Sequence, residues 1–153
     1  MDFNFATLIT GRAQSNVAAA AAYIASGGRL PSDYRGCYNY TDRNRVGAAA
    51  ASLAASIASY GYRVGTVEGK SDWEPETDVT PGNSARYLGD IQNIKSAFYG
   101  TTPLPDTMDR LGWEDANNIE RLLVEVNGYV RLMERAFVRC GAFNSGQEVI
   151  FPT

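Results

Sequence analysis

Apolar residues recur along much of this chain at alternating steps of three and four positions, the spacing that places one buried stripe on an α-helix. The pattern is longest over residues 113–139, and Gly141 closes it. Its apolar positions are Ala116, Ile119, Leu122, Leu123, Val126, Val130, Met133 and Phe137. We expect this segment to form the longest helix of the protein.

Three further helices are predicted upstream, each bounded by residues that favour helix ends. The first covers 10–26 with Thr10 as its N-cap, and the second begins at Thr41 and ends near residue 60. The third has Thr80 as its N-cap with proline in its first position, and it ends near residue 100. A short helical turn is expected at 107–111. The apolar stripe predicted for the first helix consists of Val17, Ala20, Ala21 and Ile24.

Three of the four predicted helices contain a glycine in their interior, at Gly47, Gly89 and Gly128. A glycine inside a helix costs about 1 kcal/mol relative to alanine. Together with the alanine-rich helix faces, these glycines indicate helix backbones that approach a neighbour closely, either within this chain or in another one.

The remaining segments are an N-terminal arm at 1–9, an irregular connector at 62–79 and a C-terminal tail at 142–153. In the connector, we expect Trp73 to anchor the loop by burial. The tail has turn residues between short apolar runs, which favours an extended conformation. The 153 residues therefore predict a single, mainly α domain, a bundle of about four helices with a short extended or β-like C-terminal tail.

The composition excludes several kinds of chemistry. The chain contains no histidine, so a Ser-His-Asp triad, a Cys-His pair and histidine-ligated zinc are excluded. A net charge of −3 argues against general nucleic-acid binding, which needs a basic face. The longest apolar run, 17–25, is about half as long as a membrane-spanning helix, so we expect a soluble protein with no membrane contact. Cys37 and Cys140 belong to no motif and could be two reduced thiols or a single disulfide.

Two segments resemble ligand-binding motifs without completing them. Residues 65–71 resemble a phosphate-binding P-loop, but the glycines are one residue too close and no helix start follows. Alternating carboxylates can bind calcium, and the connector has such a set, but the glycine and the bidentate glutamate of a calcium loop are missing. This weak calcium candidate consists of Asp72, Glu74, Glu76 and Asp78. No catalytic residue, no other metal site and no cofactor is predicted.

The composition also contains a signal for protein–protein contact. Most of the 14 basic residues are arginine, and there are nine tyrosines, two residue types that are enriched at interfaces. Ordinary surface ion pairing explains the arginines equally well. The residues that we single out as a possible interface are Phe143, Phe151, Tyr62 and Trp73.

One short pattern occurs twice, at 40–46 and at 113–119. Both copies read aromatic-x-Asp-x-Asn-x-(Val/Ile), and each opens a long predicted helix. An acid near the positive end of the helix, followed by asparagine and a core residue, is a physically favourable helix start. Neither copy contains a nucleophile with a base, so we interpret the repeat as structural.

These helix starts belong to a set of motifs that resembles a module of long structural proteins from tailed bacteriophages and from prophages of Gram-positive bacteria. The resemblance covers about residues 33–153. The matching pieces, in order, are Gly36-Cys37-Tyr38-Asn39, Asp42-Arg43-Asn44-Arg45-Val46, Tyr60-Gly61-Tyr62, Lys70-Ser71-Asp72-Trp73, Ala85-Arg86-Tyr87-Leu88, Pro105-Asp106-Thr107-Met108, Leu111-Gly112-Trp113-Glu114-Asp115-Ala116-Asn117-Asn118-Ile119-Glu120 and Ala142-Phe143-Asn144-Ser145-Gly146-Gln147-Glu148.

The resemblance implies a non-enzymatic structural protein of a bacteriophage virion, from the tail, neck or baseplate. Its implied partners are other virion proteins and further copies of itself, and its implied location is the virion, after synthesis in the cytoplasm of the bacterial host. Two alternatives remain open at this point. One is a receptor- or carbohydrate-binding module of a phage or bacterial surface appendage, and the other is a cell-wall hydrolase.

Overall fold

The computed structural model describes the backbone of residues 3–140 and the side chains as far as residue 136. Four α-helices follow a short 3-10 helix at Phe5–Thr7, and the described residues contain no β-strand. The helices are α1 (Gln14–Ala25), α2 (Tyr40–Ser59), α3 (Pro81–Ala97) and α4 (Trp113–Cys140). The predicted mainly helical fold with four principal helices is confirmed. The tail at 142–153 and the side chain of Cys140 lie outside the described part.

Helices α2, α3 and α4 pack against one another and enclose the core. Each contributes aliphatic side chains that are at most 1% exposed, and burying one such side chain stabilises the fold by about 1.5–3 kcal/mol. These residues are Val46, Leu53 and Ile57 in α2, Ile91 and Ile94 in α3, and Ile119, Leu122, Leu123 and Val126 in α4. From the N-terminal arm, Leu8 joins the same cluster.

Two predicted helix starts are wrong. Helix α1 begins at Gln14 and not near Thr10, because the backbone of the preceding residues bonds to side chains of α4 instead of forming a helical turn. Helix α2 has Asn39 as its N-cap in place of Thr41, since the Asn39 side chain accepts the backbone N–H of Thr41 at 2.9 Å. By contrast, the predicted N-cap Thr80 is confirmed, because its hydroxyl accepts the backbone N–H of Asn83 at 3.2 Å.

The short helical turn expected at 107–111 is also wrong. The structure has only a hydrogen-bonded turn at 109–110, and residues 111–112 then lead without regular structure into α4. In this conformation the side chains of Leu104, Met108 and Leu111 reach the core, where they pack against its buried residues. Packing against the bundle, and not local helix propensity, therefore sets the conformation of this segment.

Helix α1 lies outside the three-helix core. It packs against the loop that contains Gly36. A Cβ atom added to Gly36 would lie 2.1 Å from the backbone oxygen of Asn16 and 2.8 Å from the Cβ of Ala20. Of the predicted stripe only Ala20 is buried, whereas Ala21 is exposed and Ile24 is 55% exposed. The stripe prediction is therefore wrong, since a single close contact with a loop replaces burial along the whole helix.

The connector at 62–79 contains neither helix nor strand, and Trp73 anchors it with only 3% of its surface exposed, as predicted. A second attachment is formed by Asp90 of α3, whose carboxylate oxygens accept the backbone N–H groups of Glu68 at 3.1 Å and Gly69 at 2.8 Å. These amides belong to the segment that resembles a P-loop. Because a carboxylate of the protein already binds them, they are not available for phosphate.

The link between α3 and α4 is attached through Glu125 in the middle of α4. Its carboxylate accepts the backbone N–H and the hydroxyl of both Thr101 and Thr102, over distances of 2.6 to 3.1 Å. Burial alone would raise the pKa of Glu125, but these hydrogen bonds outweigh it and lower the pKa to about 2.

No helix among the described residues combines the length and the apolar character that crossing a membrane requires.

The interior glycines give a matched test of close packing. A Cβ at Gly47 would lie 1.9 Å from the backbone oxygen of Lys70, whereas one at Gly128 would meet no atom within 4 Å. Gly47→Ala is therefore expected to lower the free energy of unfolding by about 2 kcal/mol or more. Gly128→Ala is expected to raise it by about 0.5–1 kcal/mol through helix propensity. Urea denaturation of both variants measures the difference, and equal effects would contradict the close approach at Gly47.

Candidate functional site

Four charged side chains meet in the interior, where the N-terminal segment reaches the first turns of α2 and α4. They are Arg12, Asp42, Arg45 and Glu120, and we call them the ion cluster. Their side chains are 2%, 6%, 17% and 0% exposed, respectively. Two positive and two negative charges give a neutral group, which is the condition under which ionised side chains are tolerated away from water.

Both guanidinium groups bind both carboxylates. The Nη2 atom of Arg12 lies 2.8 Å from Oδ1 of Asp42 and 2.7 Å from Oε1 of Glu120. Arg45 binds Glu120 through two N–H groups, with Nη2 at 2.7 Å and Nε at 3.1 Å, and it also pairs with Asp42. Burial by itself would lower the pKa of Arg45, but the hydrogen bonds and charges of Glu120 and Asp42 raise it above its ordinary value.

The ion cluster also fixes the backbone of the N-terminal segment. Ile9 donates its backbone N–H to Oε2 of Glu120 at 2.5 Å, and Arg12 donates from Nη1 to the Ile9 carbonyl at 2.8 Å. Asn117 completes the attachment, since its amide oxygen accepts the backbone N–H of Arg12 at 2.9 Å and its amide nitrogen donates to the Arg12 carbonyl at 2.8 Å. We call this two-bond contact an amide clamp. It satisfies the polar backbone groups of Arg12, which lies in the stretch 8–13 between the 3-10 helix and α1, where the chain forms no helix or strand.

A second amide clamp holds the connector on α2. Asn44 accepts the backbone N–H of Trp73 at 2.7 Å and donates to the Trp73 carbonyl at 2.9 Å. The two clamping asparagines occupy the same position of the repeated sequence pattern. The aspartates of that pattern are equivalent as well. Asp42 accepts the backbone N–H of Asn39, the residue just before α2, and Asp115 accepts the backbone N–H of Gly112, the residue just before α4. The repeat is thus a device for capping a helix and attaching a loop to it.

Aromatic side chains cover one side of the ion cluster. The guanidinium of Arg12 lies 5.4 Å from the ring centre of Tyr38, and the hydroxyl groups of Tyr38 and Tyr87 share a hydrogen bond of 2.5 Å. Burial raises the pKa of both phenols above the ordinary value, so they remain neutral at physiological pH. Neutral rings against a buried cation add cation–π attraction without adding charge.

The ion cluster is therefore arranged to hold three segments together. Each oxygen of its two carboxylates accepts at least one protein hydrogen bond, including one from the backbone N–H of Asn39 to Asp42. Among the N–H groups of the two arginines, only Nε of Arg12 is buried without a partner. Because all four carboxylate oxygens and most of the N–H groups are bound within the protein, the network fixes the relative positions of its elements.

The four carboxylates of the calcium candidate do not converge. All of them are exposed on the connector, and Asp72 pairs with Lys70, which lowers the pKa of Asp72. Among the described residues, no group of three or more acidic or cysteine side chains is placed so that it could hold a metal ion.

The predicted interface residues have different surroundings. Tyr62 is 48% exposed, and its ring centre lies 5.3 Å from that of Phe98. Trp73 is buried, contributes to the anchoring of the connector and belongs to the lining of a surface hollow. Phe143 and Phe151 lie outside the described residues. Neither Arg12 nor Glu120 is predicted from the sequence as a site residue, although Glu120 directly follows the second copy of the repeated pattern.

Comparison of the chain with protein-family models, with curated protein sequences and with solved structures gives no match. The resemblance to phage structural proteins therefore depends on the sequence motifs alone.

The ion cluster predicts a large effect for one small substitution. Glu120→Gln keeps the size of the side chain but leaves two buried arginines facing one carboxylate, so the free energy of unfolding is expected to fall by about 3–5 kcal/mol. The control Glu76→Gln removes the same charge from the exposed connector and is expected to change it by at most about 0.5 kcal/mol. Urea denaturation at neutral pH compares the two, and equal effects would contradict the role of the cluster.

Proposed function

We propose that this chain is a non-enzymatic structural protein of a bacteriophage particle, a component of the tail, neck or baseplate. In this proposal it acts through assembly with other virion proteins and with further copies of itself. The ordered motifs that resemble phage structural modules support the class of protein, and the exposed surface of α1 supports assembly as its mode of action.

The observation that carries the proposal is the surface of α1. This twelve-residue helix contains no charged side chain and five consecutive alanines, yet Ala20 is its only buried residue. Tyr23 and Ile24, near its C-terminal end, are 45% and 55% exposed. A helix that is apolar around most of its circumference is normally covered, and an exposed apolar patch marks an interaction surface.

A second copy of the chain suits this surface. Because α1 carries no charge, two copies can approach without electrostatic repulsion, and the small alanine side chains allow close helix–helix contact. Symmetric dimers use the same patch on both subunits, which requires a self-complementary surface of this kind.

The location of the motifs also supports a structural role. Asp42, Arg45 and Glu120 lie in the ion cluster, and Asn44 and Asn117 form the two amide clamps. The residues that carry the resemblance are thus largely those that hold this fold together. Shared motifs of this type point to a common scaffold and not to a common chemical reaction.

The two alternatives receive less support. A receptor- or carbohydrate-binding module would present Trp73 on an accessible aromatic patch, whereas this residue is only 3% exposed. A cell-wall hydrolase would have two carboxylates facing each other across a cleft. The carboxylates of Asp42 and Glu120 do come together, but they are buried and both bind Arg12 and Arg45.

Oligomeric state tests assembly through α1. The wild-type chain is expected to self-associate in analytical ultracentrifugation, and Ile24→Glu is expected to weaken the association at least about tenfold, because it places two like charges in the contact. Ala55→Glu adds the same charge to an exposed position of α2 and is expected to leave association unchanged.

The particle itself tests the class of protein. Mass spectrometry of purified virions from the phage or induced prophage that encodes this chain is expected to detect it in stoichiometric amounts. Absence from the particles, together with a wild-type chain that stays monomeric at high concentration, would overturn the proposal.

A further inference from the structure

A surface hollow of about 320 Å³ lies where the start of α2 meets the connector. Its lining includes Asn39, Tyr40 and Arg43 from the start of α2, and Trp73 and Glu74 from the connector. The hollow is separate from the exposed surface of α1, so an inference drawn from it does not depend on the proposed function.

The cation of this hollow is held in place by aromatic rings. The guanidinium carbon of Arg43 lies 5.1 Å from the ring centre of Trp73 and 5.4 Å from that of Tyr87. These two rings meet edge to face, with centres 6.5 Å apart and planes at 87°. The amide clamp of Asn44 fixes the backbone of Trp73, so the ring that contacts Arg43 is itself immobilised.

Arg43 differs from the other arginines near the core because its charge is not compensated. Within the described part of the chain, its guanidinium makes neither an ion pair nor a hydrogen bond, whereas Arg12 and Arg45 each bind two carboxylates. Its Nη1 atom is buried without an acceptor, and the same holds for Nε1 of the 97% buried Trp73. Buried donors without acceptors are rare in folded proteins and call for an explanation.

A carboxylate supplies the negative charge and the hydrogen-bond acceptors that this hollow lacks. Nη1 of Arg43 is closed off from the hollow, but Nε and Nη2 are neither buried nor hydrogen-bonded, and together they offer two parallel N–H groups that match the two oxygens of a carboxylate. Glu74, on the rim of the same hollow, adds an exposed acceptor that would repel a simple anion but would accept a backbone N–H group. A peptide residue with an acidic side chain provides both features, a carboxylate for Arg43 and an amide N–H for Glu74.

We propose that this hollow is a binding site for an aspartate or glutamate side chain presented on a peptide segment of a partner protein. The carboxylate binds the guanidinium of Arg43, which Trp73 and Tyr87 hold in place. The backbone amide of the same segment donates to Glu74. The ligand chemistry is therefore that of an acidic peptide, and a free carboxylate lacks the second contact.

A titration of the full-length, ¹⁵N-labelled chain tests this site with two probes of equal size, blocked glutamate (N-acetyl-glutamate N-methylamide) and blocked glutamine. The indole N–H signal of Trp73 reports on the hollow, and that of Trp113, which lies outside its lining, is the reference within the same sample. Blocked glutamate is expected to shift the Trp73 signal saturably while blocked glutamine does not. Equal shifts with both probes, or no shift with either, would overturn the proposal.

Two further arms identify the source of the carboxylate and the residue that binds it. Acetate, which has no amide N–H, is expected to bind more weakly than blocked glutamate, and equal affinity would overturn the peptide assignment. Arg43→Gln is expected to weaken binding at least about tenfold, whereas the control Arg63→Gln, at an exposed position of the connector, leaves it unchanged. Unchanged affinity in Arg43→Gln would overturn the proposal.

Arg43→Lys keeps the test decisive if the glutamine variant does not fold. Lysine retains the positive charge and the ring contacts but loses the planar pair of N–H groups. Affinity for blocked glutamate is expected to fall several-fold, with the Trp113 signal unchanged. Wild-type affinity in this variant would overturn the assignment of Arg43.

Discussion

The burial of four charges at one point is the constraint on which the rest of this structure depends. An unpaired charge in a protein interior costs several kcal/mol, so Arg12, Asp42, Arg45 and Glu120 can be buried only together. They come from the N-terminal segment, from α2 and from α4, and no two of these elements satisfy all four groups. Displacement of the N-terminal segment or of α4 would leave a net charge in the interior, and displacement of α2 would break the ion pairs Arg12–Asp42 and Arg45–Glu120. The ion cluster therefore selects one arrangement of the helices. Buried ionic groups are better suited to this role than to raising the free energy of unfolding.

The amide clamps extend this selection to the loops. Asn117 attaches the N-terminal segment and Asn44 attaches the connector, each by two hydrogen bonds to the backbone of one residue. The repeated pattern thus attaches the N-terminal segment at Arg12 and the connector at Trp73, two places where the chain forms no helix or strand. Because Trp73 is immobilised in this way, Arg43 keeps a defined position in the hollow. Helix α1 takes part in neither device, which leaves its uncharged surface exposed.

The parts of this fold that the sequence predicts are those governed by local pattern. The stripe of α4 from Ala116 to Val130, the Thr80 cap and the burial of Trp73 follow from spacing and residue type within a few positions, whereas the side chain of Phe137 lies outside the described part. The start of α1 does not, since Arg12 bonds to Asn117, which is 105 positions away. The three interior glycines look alike in sequence, yet only Gly47 faces a backbone oxygen of the connector. Arg12 and Glu120 look like ordinary surface charges, because nothing in their neighbourhood along the chain reveals their partners.

Native-state hydrogen exchange of the Ile9 and Arg12 amides tests the central role of the ion cluster most directly. These N–H groups donate to the side chains of Glu120 and Asn117, respectively. Neither residue lies in a helix or strand whose backbone hydrogen bonds would protect its amide. If the cluster fixes the N-terminal segment to α2 and α4, both amides exchange only on global unfolding, as slowly as the core amides of Ile57 and Ile119. Exchange as fast as that of the exposed connector residue Arg63 would show that the segment opens independently and would contradict this account.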